Sequence, residues 1–297
     1  MSSFRVGVLC LQGSFSEHVA HLKKLEVEVV EVRLPEQLDG LDGLIFPGGE
    51  STAMAIVGES CGIFPKLREW VKSGKPVWGT CAGMILLSNT AVYQKTGGQA
   101  LVGGMDVEVC RNFFGSQVQS FEMKLDMGEL GSESQAKGEG GGGGGDPQTA
   151  APDLPANAVF IRAPAVLKCG AGVKVLARVK AVPCASALES LRPKAAGPDG
   201  DGTAQNEPAT DTTLPGSVRP AVCPDELRSD EHALLFKRRK LSPSELQAVG
   251  LAKGEEPWDV AVAVRQGNLI ATAFHPEFTQ DLRWHRYFVD ICKAAKP

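Results

Sequence analysis

The chain has 297 residues and a formal net charge of -4, room for one large or two small domains, without the basic excess expected of a nucleic-acid binder. Its eight cysteines are scattered with neither CxxC nor Cys/His metal spacing, which predicts reduced thiols in a cytoplasmic-type compartment and no metal site. No apolar run reaches membrane-spanning length, and a strand from Phe4 leaves no room for a leader segment.

Phe4 to Leu11 reads as a buried strand. Gln12-Gly13-Ser14 turns at its carboxyl end, and Ser14 or Ser16 is expected to cap a helix running to about Leu25. Val27 to Val32 and Gly43 to Phe46 are the next strands. Strands alternating with helices predict a parallel sheet covered on both faces, with ligands at the carboxyl ends of its strands. Gln12-Gly13, Gly48-Gly49-Glu50 and Gly79 to Gly83 all fall at such ends.

In Pro47-Gly48-Gly49-Glu50-Ser51, adjacent glycines free the backbone to turn N–H groups inward, a nest suited to an anion. A plain glycine turn, with Ser51 or Thr52 capping the following helix, reads as well. Gly79-Thr80-Cys81-Ala82-Gly83 joins a short apolar strand to a helix-like run. This is the nucleophile-elbow pattern with cysteine in the place of serine. The flanking glycines keep the turn thin, and the first amides of the helix-like run, which begins at Gly83, become donors for an oxyanion. A buried structural cysteine fits the pattern too.

Gly97 to Val109 reads as β structure with a turn at Gly103-Gly104, followed by Arg111-Asn112-Phe113-Phe114-Gly115. Arg111 has the fork to clamp a carboxylate, or is simply a solvated loop residue. Val118 to Leu125, Ala158 to Ile161 and Val173 to Lys180 are further strands. A glycine-rich loop at about 131–156 and a compositionally biased insertion at about 181–257 interrupt a single domain; both are expected to lack fixed structure, apart from a short helix near Ser242 to Val249. The basic run Lys237 to Lys240 inside the insertion is a nuclear-import signal, a patch for an acidic partner, or simply solvated charge. Trp258 to Arg265 and Leu269 to Phe274 form a strand pair around Gln266-Gly267-Asn268, and Leu282 to Lys293 has helical spacing.

His275-Pro276-Glu277 lies just beyond the last strand. A thiol nucleophile needs a base, and the base needs an orienting carboxylate. Cys81, His275 and Glu277 supply all three, although a surface His-Pro turn is the plainer alternative. Of the five histidines, only His275 has this setting; His18 and His21 sit a helical turn apart on the first helix, and His285 lies on the last.

The elbow and His275-Pro276-Glu277 together resemble the class I glutamine amidotransferases. With Leu11-Gln12-Gly13, Pro47 to Thr52, Arg111-Asn112-x-Phe114-Gly115 and Phe160-Ile161-Arg162-Ala163-Pro164, the chain is similar more narrowly to the glutaminase subunits of pyridoxal 5'-phosphate synthases. The resemblance spans about residues 4–180 and 258–293. It implies an α/β fold, the three-layer α/β/α class I glutamine amidotransferase-like arrangement with a mostly parallel central sheet. It also implies a cofactor-free glutaminase in which Cys81 attacks the side-chain amide of L-glutamine, His275 moves the proton and Glu277 orients it. By carry-over, Gly48, Gly49, Glu50 and Ser51 line the glutamine pocket, and Arg111, Ile161 and Arg162 hold the amino-acid end. Gln12 and Ala82 fall near the oxyanion or the subunit interface. The implied partner is a (β/α)8-barrel synthase subunit in a large hetero-oligomer, which receives the ammonia. A free-standing cysteine hydrolase of the γ-glutamyl peptidase kind and a non-catalytic scaffold are the competing readings.

Overall fold

The structure is a computed structural model that describes residues 3–92, 98–115, 120–125, 155–191 and 257–296. All of them belong to one of the two compact units into which the chain divides, Met1–Leu191 with Arg239–Pro297. The polyglycine stretch, Lys237 to Lys240 and the short helix expected near Ser242 lie outside the described residues.

The elements run β1 (Arg5–Leu9), α1 (Phe15–Lys24), β2 (Glu28–Val32), β3 (Gly43–Phe46), α2 (Ser51–Ser60), α3 (Ile63–Lys72), β4 (Val77–Thr80), α4 (Ala82–Leu87), β5 (Ser88–Val92) and β6 (Met105–Cys110). They continue with β7 (Phe121–Leu125), β8 (Ala156–Phe160), β9 (Ala165–Cys169), β10 (Lys174–Ala181), α5 (Ala185–Leu191), β11 (Trp258–Gln266), β12 (Leu269–Thr272) and α6 (Arg283–Ala295). The main sheet has the order β2-β1-β3-β4-β12-β11-β9-β6-β5, with β10 on β11. From β2 to β12 every pairing is parallel, as the alternating strands and helices predict. Past β12 the sheet turns mainly antiparallel, because the β11–β12 hairpin reverses the chain at Gly267. β7 and β8 form a separate two-stranded ribbon.

Strand alternation assigns the layers. On β4, Trp78 and Thr80 face α1 and α6: Trp78 packs edge-on to His18 and His285, and Thr80 meets His18. Gly79 faces the other way, where an added Cβ would strike the backbone of Gly83 in α4. On β3, Gly43 lies against Phe288 and Cys292 of α6, and Phe46 lies beneath Gly83 of α4. The sheet is thus sandwiched between helices. On α6, Trp284, Tyr287, Phe288 and Ile291 form the buried stripe that the spacing predicts. Each such side chain contributes about 1.5–3 kcal/mol on burial.

The sequence reading needs three corrections here. Regular structure continues past Ala181, where the biased stretch was expected to begin: Cys184 N–H donates to Phe113 O (2.9 Å), and α5 buries Ala187. The cap of α2 is Glu50, whose carboxylate accepts from Thr52 and Ala53 N–H, in place of the expected Ser51 or Thr52. Ser14 occupies the cap position of α1 but makes no side-chain cap bond. Helix α3 and strands β5 and β9 had no counterpart in the sequence reading. Among the described residues, no helix is long and apolar enough to cross a membrane.

Candidate active site

Three loops at the carboxyl ends of β1, β3 and β4 converge with the segment after β12. Cys81 sits between β4 and α4 with φ 47° and ψ -99°, a backbone conformation that L-residues rarely adopt. Such strain costs about 1–3 kcal/mol and persists only where the surroundings enforce it. Here the enforcement is visible: Cys81 N–H donates to Thr272 O (2.7 Å), and Gly83 sits so close to the Phe46 carbonyl that no Cβ fits. The thiol is nearly buried and points at Ile161 O, 3.8 Å away. As the first residue of α4, Ala82 has an N–H with no acceptor inside its own helix.

His275 follows β12 and is anchored by its N–H to Val159 O (2.8 Å). Its Nδ1–H donates to Glu277 Oε1 at 2.7 Å, since an ionised carboxylate only accepts. The ring stacks on Phe278 and lies against Gly48, where it occupies the space of a missing Cβ. Burial opposes a charge on His275, but its contacts with Cys81 and the Glu277 carboxylate outweigh it, so its pKa is raised to about 10. Burial likewise opposes ionisation of Glu277, yet His18, His275 and the hydroxyl of Ser14 bring it down to about 2. That hydroxyl donates to Glu277 Oε1 at 2.6 Å, which explains why Ser14 leaves α1 uncapped. Cys81, His275 and Glu277 are thus brought together at the ends of β4 and β12, His275 touching both the thiol and the carboxylate.

A second cluster begins two residues after Gly48. Arg111 Nη2 donates to Glu50 Oε1 (3.2 Å) and Thr52 Oγ1 (3.3 Å), and its Nε is buried without a partner among the described residues. Burial works against ionised Glu50, but the amides of Ala53 and Thr52, followed by Arg111, hold its pKa below the usual carboxylate range. One positive and one negative group side by side suit a zwitterion such as an amino acid. Ser51 and Thr52 both donate to Gln99 Oε1, at 3.0 and 3.1 Å. Gln12 Oε1 accepts from Glu50 N–H at 2.7 Å and so pins the glycine loop. Ile161 presents its carbonyl to Cys81, whereas Arg162 is exposed, with a left-handed φ of 46°.

The sequence reading missed Gln99, the bond from Ser14 to Glu277, and a buried histidine cluster behind the carboxylate. His18 and His285, set aside on the sequence, are fully buried and hydrogen-bonded to each other, Nδ1 to Nε2, at 3.0 Å. Burial pushes the pKa of His18 down to about 4, against the pull of Glu277, and that of His285 well below the normal range. Both rings are neutral at physiological pH. His21 bonds Glu17 O and Thr279 O, each at 2.9 Å, and so ties α1 to the turn after Glu277.

The profile of the SNO glutamine amidotransferase family matches residues 8–186. The chain belongs to that family. It is 43% identical over 291 residues to the probable pyridoxal 5'-phosphate synthase subunit PDX2 of Arabidopsis thaliana, covering 98% of this chain and 87% of the relative. It is 32% identical to the pyridoxal 5'-phosphate synthase subunit PdxT of Carboxydothermus hydrogenoformans, covering 98% and 99% of the two chains. A crystal structure described as a glutamine amidotransferase aligns at 30% identity and a TM-score of 0.58, covering 97% and 98% of the two chains. The family and the fold agree with the class I amidotransferase arrangement that the motifs imply. The glutamine amidotransferase is thus an α/β enzyme, and the elbow of Cys81 is the feature around which its candidate site is built.

Proposed function

We propose that this glutamine amidotransferase is the glutaminase subunit of a pyridoxal 5'-phosphate synthase. It hydrolyses L-glutamine to L-glutamate and ammonia and passes the ammonia to a (β/α)8-barrel subunit in a cytoplasmic hetero-oligomer. Its one glutaminase domain is interrupted by the two low-complexity stretches. The carrying observation is the strained Cys81 beside the buried His275–Glu277 pair. The names of the relatives support the choice of partner.

In this reading, glutamine lies with its charged end against Arg111, Glu50 and Arg162, and its amide at Cys81. The Cys81 thiolate attacks the amide carbon, and the oxyanion takes N–H donors from the Gly48-Gly49 loop and Ala82. His275 gives its proton to the amide nitrogen, the C–N bond breaks, and ammonia leaves behind a glutamyl thioester on Sγ. Neutral His275 then takes a proton from water, whose oxygen attacks the thioester. The C–S bond breaks, glutamate leaves, and the thiolate–imidazolium pair returns. Glu277 steadies the imidazolium at both stages. The test is glutamate formation by the purified chain with and without a barrel-type pyridoxal 5'-phosphate synthase subunit. Strong activation by the barrel, abolished in Cys81→Ala, supports the reading. A high rate without the barrel favours a free hydrolase, and no rate with it favours a scaffold.

A further inference from the structure

Glu277 uses Oε1 twice, for His275 and for Ser14, yet Oε2 is buried with no hydrogen bond among the described residues. A buried ionised carboxylate with an unserved oxygen is expensive. The group nearest to serving it is His18: Nε2 lies 3.4 Å from Oε2 and 3.2 Å from Thr80 Oγ1, with both side chains of the ion-pair contact fully buried. At 3.4 Å the contact is long for a hydrogen bond, and such contacts often tighten only when substrate binds.

The other side of the His18 ring decides its tautomer. His18 and His285 are neutral, so one ring nitrogen of the Nδ1–Nε2 pair donates and the other accepts. With the proton on His18 Nδ1, the lone pair of Nε2 would face the carboxylate and repel it. With the proton on His285 Nε2, His18 accepts at Nδ1 and turns an N–H toward Glu277. Only the second arrangement serves the orphan oxygen.

We propose that His18 is a positioning residue of the reaction, its Nε2–H supporting the second carboxylate oxygen of Glu277 and its tautomer fixed by His285. The triad thereby continues as a chain from Cys81 through His275, Glu277 and His18 to His285, drawn from the elbow, the turn after β12, α1 and α6. His18 touches neither substrate nor thiol. It acts by keeping Glu277 ionised and turned toward His275 while the imidazole gains and loses its proton. The inference rests on the proposed triad.

The test compares His18→Leu, which removes the donor, with His18→Gln, which restores an N–H at a similar reach. Both are made in the full chain and assayed for glutamate release with the barrel subunit. Loss of one hydrogen bond to a charged group predicts a fall in kcat of about 10- to 100-fold for His18→Leu, with KM for glutamine unchanged. The acid limb of kcat moves to higher pH, because Glu277 then protonates more readily. The groups facing Glu277 and His18 in that titration are His275, Ser14, Thr80, His21, His285 and Glu17. His18→Gln recovers much of kcat and the original limb. Nitrogen-15 NMR of histidine-labelled wild type should show His18 protonated at Nε2 alone, a readout that holds even if His18→Leu fails to fold. A proton on His18 Nδ1 overturns the inference. So does a folded His18→Leu enzyme with unchanged kcat and acid limb, or a His18→Gln enzyme no better than His18→Leu. A Glu277→Gln control separates the two levels: full activity there sinks the triad itself, whereas its loss alongside an unaffected His18→Leu sinks only the positioning role.

Discussion

Gly48→Ala places one methyl group against the imidazole of His275, the proposed proton shuttle. The backbone at Gly48 has no positive φ, so alanine is conformationally acceptable and any effect comes from contact. The new Cβ would stand 2.7 Å from His275 Nδ1, with Cε1 nearer still, whereas ordinary contact begins at 3.4 Å. The ring must therefore retreat by more than half an ångström. It is not free to do so, because Nδ1 is held by Glu277 at 2.7 Å and the face stacks on Phe278 with centroids 5.1 Å apart. Overpacking of this kind costs about 1–3 kcal/mol of stability. A displacement approaching an ångström at a reacting group costs about 100-fold in rate. The expected Gly48→Ala enzyme is folded, binds its barrel partner, keeps KM for glutamine and loses roughly that factor in kcat. Glutamate release at saturating glutamine, alongside a denaturant melt, measures both quantities. A folded variant with unchanged kcat would refute the seating of His275 against Gly48 as a requirement of the proton shuttle.

Unfolding free energy should fall as pH drops from about 6.5 toward about 4, because unfolded His18 and His285 gain protons that the buried neutral rings refuse. Chemical denaturation across that window checks this, and a flat profile would contradict it. On the alkaline side, the raised pKa of His275 contributes stability that is complete below about 6.5 and lost as pH climbs to about 10, so Cys81→Ala should flatten this decline. Gln99→Ala frees the hydroxyls of Ser51 and Thr52, and is expected to raise KM for glutamine by about tenfold with a smaller change in kcat. Replacing residues 193–255 by a short Gly/Ser linker should leave a folded, partner-activated glutaminase, because Ala181 and Trp258 on either side are paired neighbours. Starting the deletion at Pro183 removes α5 as well, and should lower the melting temperature.

The turns that carry Cys81 and His275 were legible because each is a local pattern. The glycines around Cys81 and the proline after His275 mark strand-end turns within a few residues. The assembly behind Glu277 was not legible, because its members are far apart in the chain. Ser14 reaches Glu277 across a separation of 263 residues, and His18 reaches His285 across 267. On a helix, His18 and His21 look like any polar pair, and nothing local says that the face they share is buried. Gln99 was hidden for a similar reason, since its partners lie on α2. The antiparallel pairing of β10 with β11 joins residues some eighty positions apart, beyond what local pattern can show. Strands β5 and β9 were overlooked because β5 follows α4 without a break and β9 is exposed over its last residues. Glu50 displaced the serine cap because Arg111 and the helix amides together stabilise its charge.

The position of β12 sets an order of events during synthesis. This strand lies between β4 and β11 in the middle of the sheet, yet it is among the last elements to be made. Its Thr272 carbonyl is what holds the Cys81 amide, and the residues just beyond it bring His275 and Glu277. A nascent chain that has already folded β1 to β4 therefore exposes an open sheet edge, with Cys81 lacking both the neighbouring His275 and the bond that holds its strained backbone. The elbow of Cys81 gains its backbone anchor only when the centre of the sheet is filled. Until β12 is made, β4 is an open edge of the kind that invites wrong pairing during synthesis, and β12 closes it.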